Sequence, residues 1–439
     1  MTMPLRRILF GLLLGASTAV AGALPEELGE ALGLADSAAL RATVFGAAPD
    51  DLAAMPSRVP TKEINIDIEG SLPVPDVFWF NRKLRAYWSK QRGPAPLAIV
   101  ISGTGGDANT QKIRILRRAL YGAGHHVLTL PSPTYPRFIV AASSTGVTGD
   151  LRQDGEDLHR AITQLVARLR KDNVPITEIN VLGYSLGGAN AGIVKSIDDE
   201  RGEIGIKRAV LVNPPVNLFN SIARLDRLLE VSVGTSEADF ARLYHEIYSQ
   251  LSTHYTVSDT LDVDQDFLLD AAGAVLASDK DLAAGISLSF RLSLIDMFFA
   301  GDLYAGTGVV LDPNDPPGPG DSLNEVFRTL RRKSFSDYFE QVFVPYYTAR
   351  RPGSTPETLI ASNHLRIIEQ ALRNDPDYYA QTNSDELILN QEELDWLRDT
   401  FGERIAIYDH GGHLGNLGEH EQIQDLLDML SGTYRSAAP

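Results

Sequence analysis

The pentapeptide Gly183-Tyr184-Ser185-Leu186-Gly187 fits the pattern G-x-S-x-G. Such a pattern can place a nucleophilic serine at a sharp turn between a strand and a helix. It is short enough to occur by chance, so other residues of the chain must supply the remaining chemistry. A serine attacks a carbonyl carbon efficiently when a histidine removes its proton, a carboxylate orients that histidine, and N–H groups hold the oxyanion that forms.

The predicted base is His413. It lies in "YDHGGHLGNL" (Tyr408–Leu417), directly after the last predicted strand. The two glycines before it allow the chain to turn, so that the imidazole can reach back over the sheet toward Ser185. His410 is the alternative, because it lies closer to the end of the strand.

The carboxylate that orients the histidine is expected in the loop after the preceding strand. The segment "YYAQTNSDELILN" places Asp385 just past that strand, and Asp385 is the predicted acid. The neighbouring Glu386 is the alternative. Either choice gives the chain order serine, acid, histidine, which is one of the orders found in triad enzymes.

The predicted oxyanion hole consists of two backbone N–H groups. One belongs to Leu186, which follows the serine, and the other to Thr104 in the glycine-rich loop "SGTGGDAN" (Ser102–Asn109). Residues 103–108 also match the dinucleotide fingerprint G-x-G-x-x-A, but the next strand ends in "LTLPSP" without the acid that would bind a ribose. We therefore expect neither a cofactor nor a metal ion.

These loops belong to a regular alternation of strands and helices, which is typical of a parallel sheet with crossover helices on both faces. "PLAIVIS" is a continuous apolar run, as expected of a strand buried on both faces. The predicted strands are Lys62–Ile68 at an edge, one within Asp76–Lys90, Pro96–Ser102, His125–Leu130, Glu178–Ser185, Ile206–Pro215, Asp377–Thr382 and Arg404–Asp409. The predicted helices are Ala108–Gly122, Asp150–Lys171, and three that start at Leu186, near Gln391 and near Glu419.

The motifs "GYSLGG", "TNSDELI" and "GGHLG", with "SGTGG" upstream, resemble those of the serine esterases and lipases of the α/β-hydrolase superfamily. The resemblance covers about residues 60–215 and 376–435. It implies the α/β-hydrolase fold, with a mostly parallel central sheet, helices on both faces and a Ser-Asp-His triad. Many relatives have His-Gly where this chain has Ser102-Gly103, a change that leaves the backbone donors in place. By resemblance, the large insert after the strand that ends near Pro215 is a helical lid over the active site.

Three further residues are predicted to contact substrate. Tyr184 lies within the serine motif, and Tyr135 and Arg137 lie in a loop that follows a sheet strand on the side where open α/β sheets bind ligands. The most apolar part of the insert is "SLSFRLSLIDMFFAG" (Ser287–Gly301). We interpret it as the core of the insert rather than as a wall that binds lipid.

Composition restricts the partners. The chain has 40 Lys and Arg against 57 Asp and Glu, a net charge of −17, which disfavours binding to nucleic acid. It has no cysteine, so disulfides, cysteine-ligated metals and a lipid anchor on an N-terminal cysteine are excluded.

The first 21 residues have the pattern of a secretory signal peptide. Arg6 and Arg7 form a positive region, Ile8–Leu14 is apolar, and Ala19-Val20-Ala21 is a small-residue cleavage site. The apolar run is short for an uncleaved anchor, because a membrane span needs about 20 residues. We expect an exported protein located in the periplasm, with secretion into the medium as the alternative.

The predicted organisation has five parts. These are a signal peptide (1–21), a helical lead-in (22–60), the first part of the hydrolase core (61–215), a helical cap or lid (216–376) and the second part of the core (377–439).

The sequence thus predicts an exported serine hydrolase that cleaves carboxylic esters through an acyl-enzyme on Ser185, with lipid or other acyl esters as candidate substrates. A serine peptidase or an acyltransferase on the same scaffold is one alternative, and a non-catalytic envelope protein that keeps the fold is another. The expected partner is a small-molecule or lipid ester. Contact of the lid with a membrane surface and the oligomeric state stay open.

Overall fold

The computed structural model describes residues 23–34, 36–234 and 278–435, and the predicted signal peptide lies outside these ranges. Its centre is a single mixed sheet of eight strands. They are β1 (Lys62–Ile66), β2 (Leu84–Ser89), β3 (Ala95–Ile101), β4 (His126–Leu130), β5 (Ile176–Tyr184), β6 (Ile206–Val212), β7 (Tyr378–Asn383) and β8 (Ile405–Tyr408). The order across the sheet is β1-β2-β4-β3-β5-β6-β7-β8. β2 runs antiparallel to both of its neighbours, and the other adjacent pairs are parallel.

The sheet is buried on both faces by two separate hydrophobic clusters. Along β3, Leu97, Ile99 and Ile101 belong to one cluster, while Ala98 and Val100 belong to the other, and all five are fully buried. Successive side chains of a strand point to opposite faces, so a strand covered on both sides needs apolar residues at every position. The predicted parallel sheet is confirmed.

Helices cover both faces. The helices of the described residues are α1 (Glu26–Leu32), α2 (Ala38–Phe45), α3 (Gln111–Gly122), α4 (Pro136–Ala142), α5 (Leu151–Lys171), α6 (Leu186–Arg201), α7 (Leu218–Val233), α8 (Asp279–Ala305), α9 (Asn324–Leu330), α10 (Phe335–Tyr338), α11 (Val344–Arg350), α12 (Pro356–Ser362), α13 (Glu369–Asn374), α14 (Gln391–Phe401) and α15 (His420–Ser431). α5 and α6 contribute to the larger cluster on one face, and α3 and α15 to the smaller cluster on the other. A π-helical turn, Phe339–Phe343, joins α10 to α11.

Several boundaries differ from the predictions for local reasons. β1 pairs only with β2, which confirms an edge strand, but β1 ends at Ile66 rather than Ile68; β2 lies within the predicted range Asp76–Lys90, after a 3-10 turn at Asp76–Asn81. α3 begins at Gln111 rather than Ala108, because the Thr110 hydroxyl accepts a hydrogen bond from the Ile113 N–H and caps the helix. The segment predicted as a loop after β4 contains α4, whose first residue is a proline.

Between β6 and β7, the described residues form helices and turns and contribute no strand. α7 and α8 pack on each other and are joined by a buried ion pair, in which Arg291 Nη2 lies 2.7 Å from Asp226 Oδ1. Asp226 also accepts a hydrogen bond of 3.2 Å from the Ser336 N–H at the start of α10. One buried carboxylate thus ties three helices of the insert together.

α8 contains the apolar stretch Ser287–Gly301. Among the described residues, α8 is the one helix that is both long enough and apolar enough to cross a membrane. However, 78% of its most apolar 18-residue window is buried inside the molecule. Leu294 and Phe298 are fully buried. The stretch therefore forms part of the core of the insert, as the sequence predicted.

Candidate active site

Ser185 lies at a strained turn between β5 and α6. Its backbone has φ 54° and ψ −130°, a conformation that costs a non-glycine residue on the order of 1–3 kcal/mol. The glycines on either side permit the turn: a Cβ on Gly183 would collide with the Gly187 carbonyl oxygen, and a Cβ on Gly187 with that of Ile101. The Ser185 N–H donates to Val212 O at 2.8 Å. This is the local geometry of a nucleophile elbow.

The loop after β8 brings His413 to this turn. His413 Nε2 lies 3.0 Å from Ser185 Oγ, which is hydrogen-bond distance. Both side chains are nearly inaccessible to solvent, with Ser185 6% and His413 4% exposed. His410, the alternative base, is instead exposed, and its Nε2 lies 3.9 Å from a carboxylate oxygen of Glu419.

The carboxylate beside the histidine is Glu386, and the prediction of Asp385 is corrected on this point. Glu386 Oε1 lies 2.8 Å from His413 Nδ1. Its other oxygen accepts a hydrogen bond of 2.6 Å from Asn213 Nδ2. The side chain is 4% exposed, so both oxygens are held by protein groups rather than by solvent. The arrangement leaves Nδ1 as the imidazole nitrogen that donates, and Nε2 as the one that can accept the serine proton.

Asp385 has another partner. Its carboxylate accepts hydrogen bonds from the Gly412 N–H at 2.8 Å and the Gly411 N–H at 3.3 Å, so it holds the turn that precedes His413. Burial raises the pKa of the Asp385 carboxyl, and the hydrogen bond from Gly412 opposes this shift. Its short side chain is occupied by these backbone groups, while the longer Glu386, one residue later, reaches the imidazole.

The predicted oxyanion donors lie beside the serine. Leu186 is the first residue of α6, where N–H groups have no partner within the helix and the helix dipole is positive. On the opposite loop, the N–H groups of Gly105 and Gly106 are bonded to Thr134 Oγ1 and Gly103 O. Thr104 lies in the same loop and lines the cavity that contains Ser185.

Two cavities meet at Thr104. The first holds the site and is lined by Thr43, Gly103, Thr104, Gly106, Thr110, Lys112, Tyr184, Ser185, Ile286, Phe290, His413 and Leu414. The second is mainly apolar and is lined by Thr104, Thr134, Gly149, Leu186, Leu218, Phe219, Ile222, Met297, Phe335, Tyr338, Phe339, Phe343, Ile360 and Asn363. Both proposed oxyanion donors, Thr104 and Leu186, line the apolar cavity. α8 contributes to both cavities, so it is a wall of the site as well as the core of the insert.

Of the three residues predicted to contact substrate, Tyr184 lies at the site, and Tyr135 and Arg137 lie outside both cavities. Tyr184 lines the cavity with Ser185, and its hydroxyl lies 3.0 Å from Thr110 Oγ1. Tyr135 and Arg137 are not among the residues that line either cavity. Tyr135 precedes α4 as its N-cap residue, and Arg137 Nη1 lies 3.5 Å from Lys83 O.

Three residues of the site were not foreseen from the sequence. Asn213 donates a hydrogen bond to Glu386 and has φ 45°, a backbone conformation that asparagine tolerates better than most residues. An asparagine directly after a strand was therefore a usable sequence signal for a special turn at this position. The centroids of the Phe290 and His413 rings lie 6.0 Å apart. Thr43 Oγ1 accepts a hydrogen bond from the His413 backbone N–H. Neither Phe290 nor Thr43 belongs to a recognisable motif.

Comparisons with known proteins give structural similarity only. No protein-family model and no curated protein sequence matches the chain. Among solved structures, an esterase of Pyrococcus furiosus is 12% identical over 85% of this chain and 91% of its own, with a TM-score of 0.40. An esterase of Pyrobaculum calidifontis is 15% identical over 91% and 90%, with a TM-score of 0.39. A thioesterase domain from the curacin biosynthetic pathway is 12% identical over 84% and 99%, with a TM-score of 0.40.

Sequence identities of 12–15% do not transfer an activity from these proteins to this chain. The fold follows instead from the geometry of the molecule itself. The serine lies at a strand-to-helix turn at the carboxyl end of a central parallel strand, and an acid and a histidine follow it in that order after later strands. A glycine-rich loop after β3 lies opposite the serine. The chain has the α/β-hydrolase fold.

Proposed function

We propose that the protein is a serine hydrolase that cleaves carboxylic esters through an acyl-enzyme on Ser185. The observation that carries the proposal is the buried chain of contacts from Ser185 Oγ through His413 to Glu386, at 3.0 Å and 2.8 Å. A serine in an ordinary turn needs no strained backbone and no paired histidine. Here the chain maintains both, although the strained backbone lowers its stability.

The first half of the proposed reaction forms the acyl-enzyme. His413 Nε2 removes the proton from Ser185 Oγ, which attacks the carbonyl carbon of the ester. The oxyanion is held by the N–H groups of Leu186 and Thr104. Glu386 keeps the Nδ1 proton in place and stabilises the imidazolium. Collapse of the oxyanion breaks the bond between the acyl carbon and the alkoxy oxygen, and His413 gives its proton to the leaving alcohol.

The second half releases the acid. A water molecule attacks the acyl carbon, and His413 removes its proton. The same N–H groups hold the second oxyanion. Its collapse breaks the acyl bond to Ser185 Oγ, which takes its proton back from His413.

The apolar cavity favours a substrate with an apolar acyl group. Thr104 and Leu186 line it, so a carbonyl group held by their N–H groups would lie at its mouth. Leu218, Phe219 and Met297 are among its walls, and an unpaired polar substituent would be costly there. We therefore propose fatty-acyl esters, with a lipid ester as a candidate substrate.

We further propose that the protein is exported and that the helical insert acts as a lid. The first statement is supported only by the signal-peptide pattern of residues 1–21, and sequencing of the mature N-terminus in a periplasmic or culture fraction tests it. The second is supported by α8, which lines both cavities.

The test of the proposed function is active-site labelling. A fluorophosphonate probe should label Ser185, identified by mass spectrometry, and Ser185→Ala should abolish both labelling and hydrolysis of p-nitrophenyl esters. A series of esters with acyl chains of two to sixteen carbons, an amide analogue and an added acceptor alcohol separate an esterase from a peptidase and an acyltransferase. A folded protein that neither reacts with the probe nor cleaves any ester would support the non-catalytic alternative.

A further inference from the structure

The loop that carries His413 is held by a helix from the other end of the chain. The His413 N–H donates to Thr43 Oγ1, in α2, at 2.8 Å. The same hydroxyl donates to Ala39 O at 2.7 Å, so its proton is directed away from the loop and its lone pair toward it. Thr43 is 8% exposed and lines the cavity that contains Ser185.

The backbone of this loop lies directly on α2, with no side chain between them. Gly412 has φ 53°, and a Cβ on it would collide with Ala39 O. A Cβ on Gly415 would collide with Ala42 O. Glycine at these positions is what permits the His413 N–H to reach the Thr43 hydroxyl.

The opposite side of the loop is held from the segment after β7. Asn383 Nδ2 donates to Gly412 O at 2.7 Å, and Asp385 accepts from the N–H groups of Gly411 and Gly412. These bonds fix the residues before the histidine. The bond to the backbone of His413 itself comes from Thr43.

We propose that Thr43 is a positioning residue for the proposed hydrolysis. Its hydroxyl fixes the backbone of His413, so that Nε2 stays within hydrogen-bond distance of Ser185 Oγ. Loss of the acceptor leaves a buried N–H without a partner, and the loop relaxes to satisfy it. A displacement of about 1 Å at a catalytic group can lower the rate about 100-fold.

The inference rests on the proposed function, because its test measures ester hydrolysis. The test is a set of substitutions at Thr43 in the full chain. Thr43→Val keeps the shape of the side chain and removes the acceptor. We expect kcat for a p-nitrophenyl ester, and the rate of fluorophosphonate labelling, to fall about 10- to 100-fold, with KM changed by less than about threefold. Thr43→Ser, which keeps the hydroxyl, should retain kcat within about threefold of the wild type.

Thr163→Val is the matched control. The Thr163 hydroxyl also donates to a carbonyl four residues earlier, His159 O at 2.9 Å, but within α5 and away from the histidine loop. This variant should keep the wild-type kcat. Wild-type activity in Thr43→Val, or equal losses in Thr43→Val and Thr163→Val, would overturn the proposal.

Two further measurements cover the remaining outcomes. Should Thr43→Val fail to fold by circular dichroism, amide hydrogen exchange at His413 decides: slow exchange in both the wild type and Thr43→Ser supports the bond, and fast exchange in either one refutes it. Should the wild type cleave no ester, the proposed function fails, while the labelling rate and the exchange at His413 still test the role of Thr43.

Discussion

At the scale of single residues, the central question is which of two adjacent carboxylates serves His413. Glu386→Gln keeps the size of the side chain and removes its charge, so it should lower kcat on the order of 10³- to 10⁴-fold, with little change in KM. The reason is that the amide cannot stabilise the imidazolium and can present an N–H to Nδ1, which favours the wrong tautomer. Steady-state kinetics with one p-nitrophenyl ester gives both constants.

Asp385→Asn is the control, because it makes the same chemical change one residue earlier. The asparagine keeps one acceptor oxygen for the glycine turn, so we expect a loss of about tenfold or less. A larger loss in Asp385→Asn than in Glu386→Gln would mean that the carboxylate facing the histidine in the working enzyme is Asp385.

At the scale of elements, the apolar cavity is lined by residues of α7, α8 and the helical segment from α10 to α11. Ile222 on α7 is partly buried and lines this cavity, so a larger, aromatic side chain at this position would fill part of the cavity. Ile222→Trp should therefore lower kcat/KM for esters of long acyl chains at least about tenfold, while esters of two to four carbons are affected much less. The measurement is the ratio of kcat/KM for long and short chains.

Ile367→Trp is the matched substitution at an exposed position, since Ile367 is 40% exposed and lines neither cavity. It should leave the chain-length ratio unchanged. If Ile222→Trp also leaves the ratio unchanged, the acyl chain does not enter this cavity, and the proposal of a fatty-acyl substrate loses its support.

The elements that could be predicted from the sequence are those fixed by local patterns. β3 is buried on both faces and therefore appears as an apolar run, and the elbow is marked by glycines that its close backbone contacts require. The acid could not be decided, because Asp385 and Glu386 are adjacent and differ only in which partner each reaches. The contact of Thr43 with His413 joins residues 370 positions apart and leaves no pattern in either segment.

At the scale of the whole molecule, the net charge of −17 includes carboxyl groups that are buried in the fold. Asp154, on α5, is 2% exposed, and its carboxylate accepts a hydrogen bond of 2.8 Å from the Gly149 N–H. Burial raises the pKa of Asp154 well above its usual range, the negative charges of Asp157 and Asp150 raise it further, and the bond from Gly149 opposes them. The folded protein therefore holds the Asp154 proton more tightly than the unfolded chain does.

This difference makes stability depend on pH. The contribution of Asp154 is fully present below the pKa of the unfolded chain, about 3.9, and is lost as pH rises through the raised pKa of the folded state. Asp154→Asn cannot ionise. We therefore expect its free energy of unfolding, relative to the wild type, to increase with pH across this window and to level off above it. Urea titrations from pH 4 to pH 8 measure this difference.

Asp172→Asn, at the exposed C-terminal end of the same helix, is the control for the loss of one negative charge. Its stability relative to the wild type should show no comparable rise with pH. A difference between Asp154→Asn and the wild type that is the same at every pH would mean that Asp154 has the same proton affinity in both states. The buried carboxyl would then be held by its hydrogen bonds strongly enough to cancel the effect of burial.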